Sequence, residues 1–278
     1  MPRKTKIIWV IGSGTDVGKT TIAAAFIRAM NRRGAPTVGF KPYAASMAKD
    51  LIDFILEKST KSKCSLFGND GWELSMASPL TLSELVDVVA PAQFLCHPNW
   101  KSVVLARTGA VATDNVEYFR SAHTASIEAR SDIAEFMRKT GLPFGEAKIV
   151  ESLRFLAAPS LTPEKQQRAF DFLLALGARA VVCEGSGRFL PLWPDGPNPD
   201  HAVLLAGGTV NFFPNIRASY DVKAGATLTS AKGFLELLDS VRARHISVPL
   251  YFVESGRRRA FADEIVESLI GSARGDLF

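Results

Sequence analysis

The chain has 278 residues, 47% of them apolar and 22% charged, with a formal net charge of +5 spread along its length. A chain of this size buries a substantial core, and its mild positive balance suits anionic small molecules such as nucleotides better than nucleic acid. No apolar stretch approaches membrane-spanning length, and Cys64, Cys96 and Cys183, odd in number and without metal-type spacing, predict reduced thiols in a cytoplasmic protein.

In chain order, Met1 to Lys6 precedes an apolar run that is too short for a secretory leader, so no leader is expected. Ile7 to Ile11 predicts a buried strand and Thr21 to Met30 a helix, with Gly12-Ser-Gly-Thr-Asp-Val-Gly-Lys-Thr20 between them. Strand, glycine-rich turn, then Gly-Lys-Thr at a helix start is the layout of a phosphate-binding loop. Unpaired N–H groups at a helix N-terminus, aligned with the helix dipole, hold phosphate oxygens. Gly12, Ser13, Gly14, Thr15, Asp16, Val17, Gly18, Lys19, Thr20 and Thr21 are therefore the expected nucleotide-binding residues. Lys19 would place its charge at the β- and γ-phosphates, and the Thr20 hydroxyl would bind Mg²⁺. The usual spacing puts glycine at position 13, where this chain has Ser13; counting from Gly12, five residues precede Gly-Lys-Thr.

Asn31 to Gly34 is a helix stop, and Pro36 to Phe40 a second short strand. Ala44 to about Glu57 reads as a helix with Met47, Leu51, Phe54 and Ile55 near one face, and residues 59–71 as a loop. Between about 72 and 150 the order is less regular: Leu82 to Val89 reads as helix, Ser102 to Ala106 as strand, Ile127 to Lys139 as helix. Pro163 to Leu176 is a helix ended by Gly177, Ala180 to Cys183 a strand, and His201 to Ala206 a strand followed by glycines. Phe234 to Arg244 predicts a helix, Val248 to Val253 a strand and Ala260 to Ile270 a closing helix, with Arg257-Arg-Arg259 a solvated helix start. Strands apolar on both sides, alternating with helices, predict an α/β fold: a doubly wound, mostly parallel sheet with helices on both faces, the P-loop NTPase (nucleoside triphosphatase) architecture. Residues 1–278 are expected to form a single domain, with inserted or rebuilt structure within about 60–150.

Ligands in such sheets sit at the carboxyl ends of the strands. Lys41 ends its strand in Val38-Gly-Phe-Lys-Pro-Tyr43, held extended by Pro42; it is either a group that neutralises a transferring phosphoryl or an anionic acceptor, or a surface lysine. Glu184 follows Ala180-Val-Val-Cys183, where an acid can serve Mg²⁺ directly or through water, and Gly185, Ser186 and Gly187 extend that segment toward the substrate. For a further carboxylate, Asp50 and Asp53 are neighbours on the predicted helix after Lys41, with Asp50 preferred on spacing. Arg107 fits an anionic substrate or a strand-end salt bridge, His123 a surface or satisfied histidine, and Gly207 to Pro214 either a ligand loop or a turn.

Together the Gly12–Thr20 loop, Val38-Gly-Phe-Lys-Pro42 and Glu184-Gly-Ser-Gly187 resemble dethiobiotin synthetase, with its five-residue loop spacing, Lys-Pro strand end and Glu-Gly-x-Gly-Gly segment; Ser121-Ala-His123 is a weaker echo of its Ser-Pro-His. Ser13-Gly14 replaces the family's Thr-Asp and Arg188 its last glycine. The resemblance covers about half the chain and is nucleotide machinery rather than substrate pocket. It implies an Mg-ATP-dependent ligase of biotin biosynthesis: a diamine carboxylated by CO₂, a carbamate phosphorylated by ATP, and ring closure that expels phosphate. Lys19 and Lys41 would then be catalytic, Thr20, Asp50 and Glu184 would serve Mg²⁺, and Lys41 with Glu184 to Gly187 would face substrate. It further implies a homodimer. A partner-controlling ATPase and a small-molecule kinase are the alternatives; neither involves nucleic acid or membrane.

Overall fold

The computed structural model describes residues 5–47, 58, 66–78, 85–96, 103–113, 116–122, 138, 146–150, 163–187, 190–191, 193, 196–216, 245–249 and 257–273. Among these the chain is α/β, with two mixed sheets and five helices, compatible with a doubly wound fold.

The larger sheet is built around β1 (Lys6–Gly12), an apolar strand buried from Ile7 onward. β1 pairs in parallel with β8 (Ala180–Glu184) on one side and β9 (His201–Ala206) on the other, and β2 (Thr37–Phe40) pairs in parallel with β8. These four strands are apolar on both faces, as a covered parallel sheet requires. Beyond β9 the sheet turns antiparallel through β10 (Thr209–Phe213) and β11 (Ile246–Pro249), so the order is β11-β10-β9-β1-β8-β2. Gly207 and Gly208, with φ of 58° and 73°, make the two-residue turn from β9 to β10. Two consecutive positive φ values are what the tightest hairpins need, which settles Gly207 to Pro214 as a turn and a strand.

α1 (Lys19–Arg32) and α2 (Asn69–Ala77) cover one face of β2, and α4 (Pro163–Ala175) the other. Successive strand residues point to opposite faces. A Cβ at Gly39 would lie 2.7 Å from Leu74 of α2 and 3.0 Å from Ile27 of α1, whereas the next ring, Phe40, packs edge-on against Phe170 of α4 at 5.4 Å and Trp193 at 5.2 Å. α5 (Arg258–Ser272) closes over α1: Arg28 pairs with Asp263 at 2.7 Å, Arg32 with Glu267 at 2.7 Å, and Arg33 also with Glu267. Arg257 to Arg259 are exposed at the start of α5, the solvated run the sequence predicts.

The second sheet runs β3-β4-β5-β6-β7, made of Ala44–Met47, Ala92–Cys96, Val103–Thr108, Glu117–Ser121 and Lys148–Val150. Two sheets replace the single sheet expected. Ala44 to Met47 is a strand and not the start of a helix, because its backbone pairs with Gln93 to Cys96; a distant partner outweighs local propensity. The loop expected over residues 59–71 ends early, with Asn69 opening α2. Within Leu82 to Val89, the described helix is one turn, α3 (Val86–Val89). The helices expected at Ile127 to Lys139 and Phe234 to Arg244 lie outside the described residues except for Arg138.

Arg107 on β5 is fully buried and ties three chain segments together. Its Nε donates to Leu66 O at 2.7 Å, Nη1 to Gly109 O at 2.5 Å and Nη2 to Ala90 O at 2.6 Å. The five-donor guanidinium satisfies carbonyls that have no strand partner. Arg107 is thus a structural brace, and among the described residues its partners are these carbonyls and no acid.

Candidate functional site

β1, β2 and β8 run parallel, so their carboxyl ends open on one edge of the sheet, and the chain leaves that edge at Gly12, Lys41 and Glu184. Register fixes the levels: Val10 lies opposite Glu184 and Phe40 opposite Cys183. The Gly185 N–H donates to Val10 O at 2.9 Å and the Ser13 N–H to Leu205 O at 3.0 Å, which anchors both outgoing segments to neighbouring strands.

From Gly12 the loop wraps toward the N-terminus of α1. Asp16 sits at φ 56° and Gly18, the residue before α1, at φ 88°. No side chain caps α1, which leaves its first N–H groups for an external acceptor. Lys19, buried, folds back so that its Nζ donates to Gly14 O. Gly187, at φ 57°, approaches the loop from β8, with its Cβ position 3.7 Å from Thr15 Cγ2.

Lys41 is fully buried. Its Nζ donates to Glu184 Oε1 at 2.7 Å and to Asp70 Oδ2 at 2.5 Å. Its own N–H donates to Val89 O at 2.7 Å, Pro42 O accepts from Gln166 Nε2 at 3.2 Å, and the Tyr43 hydroxyl donates to Leu190 O at 2.6 Å. The lysine is therefore held from several elements and is not a surface group. Thr20 Oγ1 lies 3.0 Å from Asp70 Oδ1 and 2.9 Å from Glu184 Oε1; its single proton serves one of them at a time. Thr20, Asp70, Lys41 and Glu184 thus form a closed ring. Glu184 Oε2 is buried and has no hydrogen-bond partner among the described residues.

The electrostatics follow from one lysine facing two acids. Burial would lower the Lys41 ammonium, but Glu184 and Asp70 push it up to about 12. Burial works to raise Asp70, yet the charge and hydrogen bond of Lys41 hold it below the usual carboxylate value. Glu184, deeper, is pushed up, burial and the Asp70 charge outweighing Lys41. Lys41 stays protonated, and the more exposed Asp70 is the more acidic of the two carboxylates. Burial lowers Lys19, against the opposing pull of Glu184.

The ring also suits a hard divalent cation. A hydroxyl and two carboxylates are an oxygen-only donor set of the kind Mg²⁺ takes alongside water and phosphate oxygens, and the orphaned Glu184 Oε2 is a buried acceptor in want of a partner. Among the described residues there is no cluster of three His, Cys, Asp or Glu side chains that would make a metal cage without such help.

The structure brings Lys19, Thr20, Lys41 and Glu184 to one edge, as the sequence predicts. The acid it adds is Asp70, in the first turn of α2. Asp50, Asp53 and His123 lie outside the described residues, as does Arg188. Asp70 had a readable signal, an acid in the first turn of a helix, but Gly68 before it is a weak cap and the stretch reads as loop. Compared with models of known protein families the chain matches none, and no curated protein sequence matches it significantly.

Proposed function

We propose that this chain is an Mg-ATP-dependent ligase of the dethiobiotin-synthetase type, with a phosphate-binding loop at Gly12 to Thr21, that activates a carbamate or carboxylate by γ-phosphoryl transfer. The observation that carries the reading is the convergence of two buried lysines, Lys19 and Lys41, with Thr20 and two acids beside an uncapped helix N-terminus. A regulator needs only a phosphate cradle; a second buried ammonium opposite the first is suited to charge that develops during transfer.

In this reading the α1 N–H groups and Lys19 hold the β- and γ-phosphates. Thr20, Asp70 and Glu184 would hold Mg²⁺, which when bound supplies charge neutralisation on the phosphate oxygens. Lys41 steadies the equatorial oxygens of the γ-phosphoryl group and the anionic acceptor. The acceptor oxygen bonds to phosphorus as the bond to the ADP oxygen breaks, giving a mixed anhydride; an amine of the same substrate then attacks its carbonyl carbon and inorganic phosphate leaves. The segment Gly185 to Gly187 lies beside this edge and would face the acceptor.

Phosphate release with diaminopelargonate and bicarbonate, compared with ATP alone, tests the reading. Release only with both substrates supports the ligase. Slow release indifferent to them points to a partner-controlling ATPase, and ADP with a phosphorylated product but no free phosphate to a small-molecule kinase. A homodimer and a cytoplasmic setting belong to the same proposal. Cys96 and Cys183 are free thiols, in keeping with a reducing setting, and among the described residues no helix is long and apolar enough to cross a membrane.

A further inference from the structure

The two carboxylates that would ligate a divalent cation, Asp70 and Glu184, are also the groups that hold Lys41. Thr20 Oγ1 bridges Asp70 Oδ1 and Glu184 Oε1, while Lys41 Nζ bridges Asp70 Oδ2 and the same Glu184 Oε1. Its ammonium lies between the two carboxylates of this oxygen set. We propose that Lys41 is a tethered cation that locks the metal site in the nucleotide-free protein, so that a divalent ion enters only when phosphate arrives to give the lysine a new partner. This rests on the proposed Mg-nucleotide site and adds to it an order of assembly.

The physical basis is charge balance in a buried place. A divalent ion entering alone would displace a fully buried ammonium from its only carboxylate partners among the described residues, toward Lys19, whose charge opposes it. An unpaired buried charge is strongly disfavoured. With a polyphosphate on the loop, Lys41 exchanges two carboxylates for phosphoryl oxygens, and the acids, freed together, take the metal. Metal and nucleotide then favour one another through a lysine that moves between two anionic partners, a coupling with two defined states. The short tether from Pro42 and Tyr43, pinned to α4 and Leu190, confines the motion to the lysine side chain.

The test is Mn²⁺ binding to the full chain, followed by loss of the free-ion electron paramagnetic resonance signal, with and without a non-hydrolysable ATP analogue. Wild type should bind bare Mn²⁺ weakly, and Lys41→Met should bind it about tenfold more tightly or better, with less added tightening by the analogue. Equal bare-Mn²⁺ affinities in two proteins that both bind the analogue would overturn the lock and leave the proposed function standing. Failure of the wild type to bind the analogue would bring down both. A second measurement needs no folded variant: in wild type with isotope-labelled lysine, the Lys41 ammonium resonance should stay in place with Mg²⁺ alone and move when the analogue is added with it. Movement with Mg²⁺ alone would overturn the proposal.

Discussion

The aliphatic stem of Lys19 lies directly over Gly12: a Cβ at Gly12 would sit 3.1 Å from both Cγ and Cδ of Lys19, and 2.6 Å from Val17 Cγ2. Absence of a side chain at the end of β1 is what lets the loop lysine fold back into the site. Gly12→Ala should therefore displace Val17 and tilt Lys19, lowering ATP affinity by about tenfold, or roughly 1.4 kcal/mol, with the fold retained. Lys19→Ala should leave no measurable nucleotide binding. Calorimetry reads both, and an unchanged affinity in Lys19→Ala would remove the phosphate-loop assignment.

Asp70 and Asp50 make competing predictions for the metal. Asp70→Asn keeps the Thr20 contact but removes half of the negative charge facing Lys41, and should weaken Mg²⁺-dependent nucleotide binding by about tenfold or more. Asp50→Asn should change it little. The reverse pattern in an Mg²⁺ titration would return the role to Asp50.

Arg107→Met replaces a buried guanidinium with an apolar chain of similar length and leaves the carbonyls of Leu66, Ala90 and Gly109 without this donor. At about 1–3 kcal/mol for a buried group left unsatisfied, the loss in urea denaturation should be roughly 3 kcal/mol or more. A variant as stable as wild type would show that the second sheet does not depend on this brace.

Alkaline pH should weaken the fold through Lys41. Its folded value is raised from 10.5 to about 12, so its stabilisation is complete below pH 10.5 and is lost as pH rises through about 12. A shift of this size corresponds to something on the order of 2 kcal/mol. On the acid side the two carboxylates oppose one another. Asp70, lowered, favours the fold above its ordinary value of 3.8, whereas Glu184, raised, favours it below 4.5. The alkaline limb is therefore the clean one. Urea midpoints of wild type should fall more steeply than those of Lys41→Met between pH 10.5 and 12, and parallel curves would count against a charged, paired Lys41.

The parts of this site legible in the sequence are those whose determinants are local. The Gly12 to Thr20 spacing, the Lys41-Pro42 pair and the acid after Ala180 to Cys183 each carry their own punctuation, and the elements holding them begin and end within a few residues of where periodicity puts them. Asp70 was hidden because α2 buries only Gly71, Trp72, Leu74 and Ser75, too few large apolar residues for a helical stripe to stand out. Ala44 to Met47 departs from the helix expected there because its conformation is dictated by β4, almost fifty residues on. The β9–β10 turn did have a local signal, Gly207-Gly208 between two apolar runs, and the pairing of those strands follows directly from it.

The central place of β1 has a consequence for the birth of the protein. Neither strand that flanks it is made before residue 180, since Lys6 pairs with Ala180 and Ile8 with His201, and the helix that clamps α1 comes later still, through Asp263 and Glu267. The Gly12 to Thr20 loop is therefore synthesised long before the strands that flank β1. Contacts of such long range make folding slow. β1 thus emerges well before the two strands that enclose it, and the nascent chain must keep Ile7 to Ile11 from unproductive partners until β8 and β9 follow.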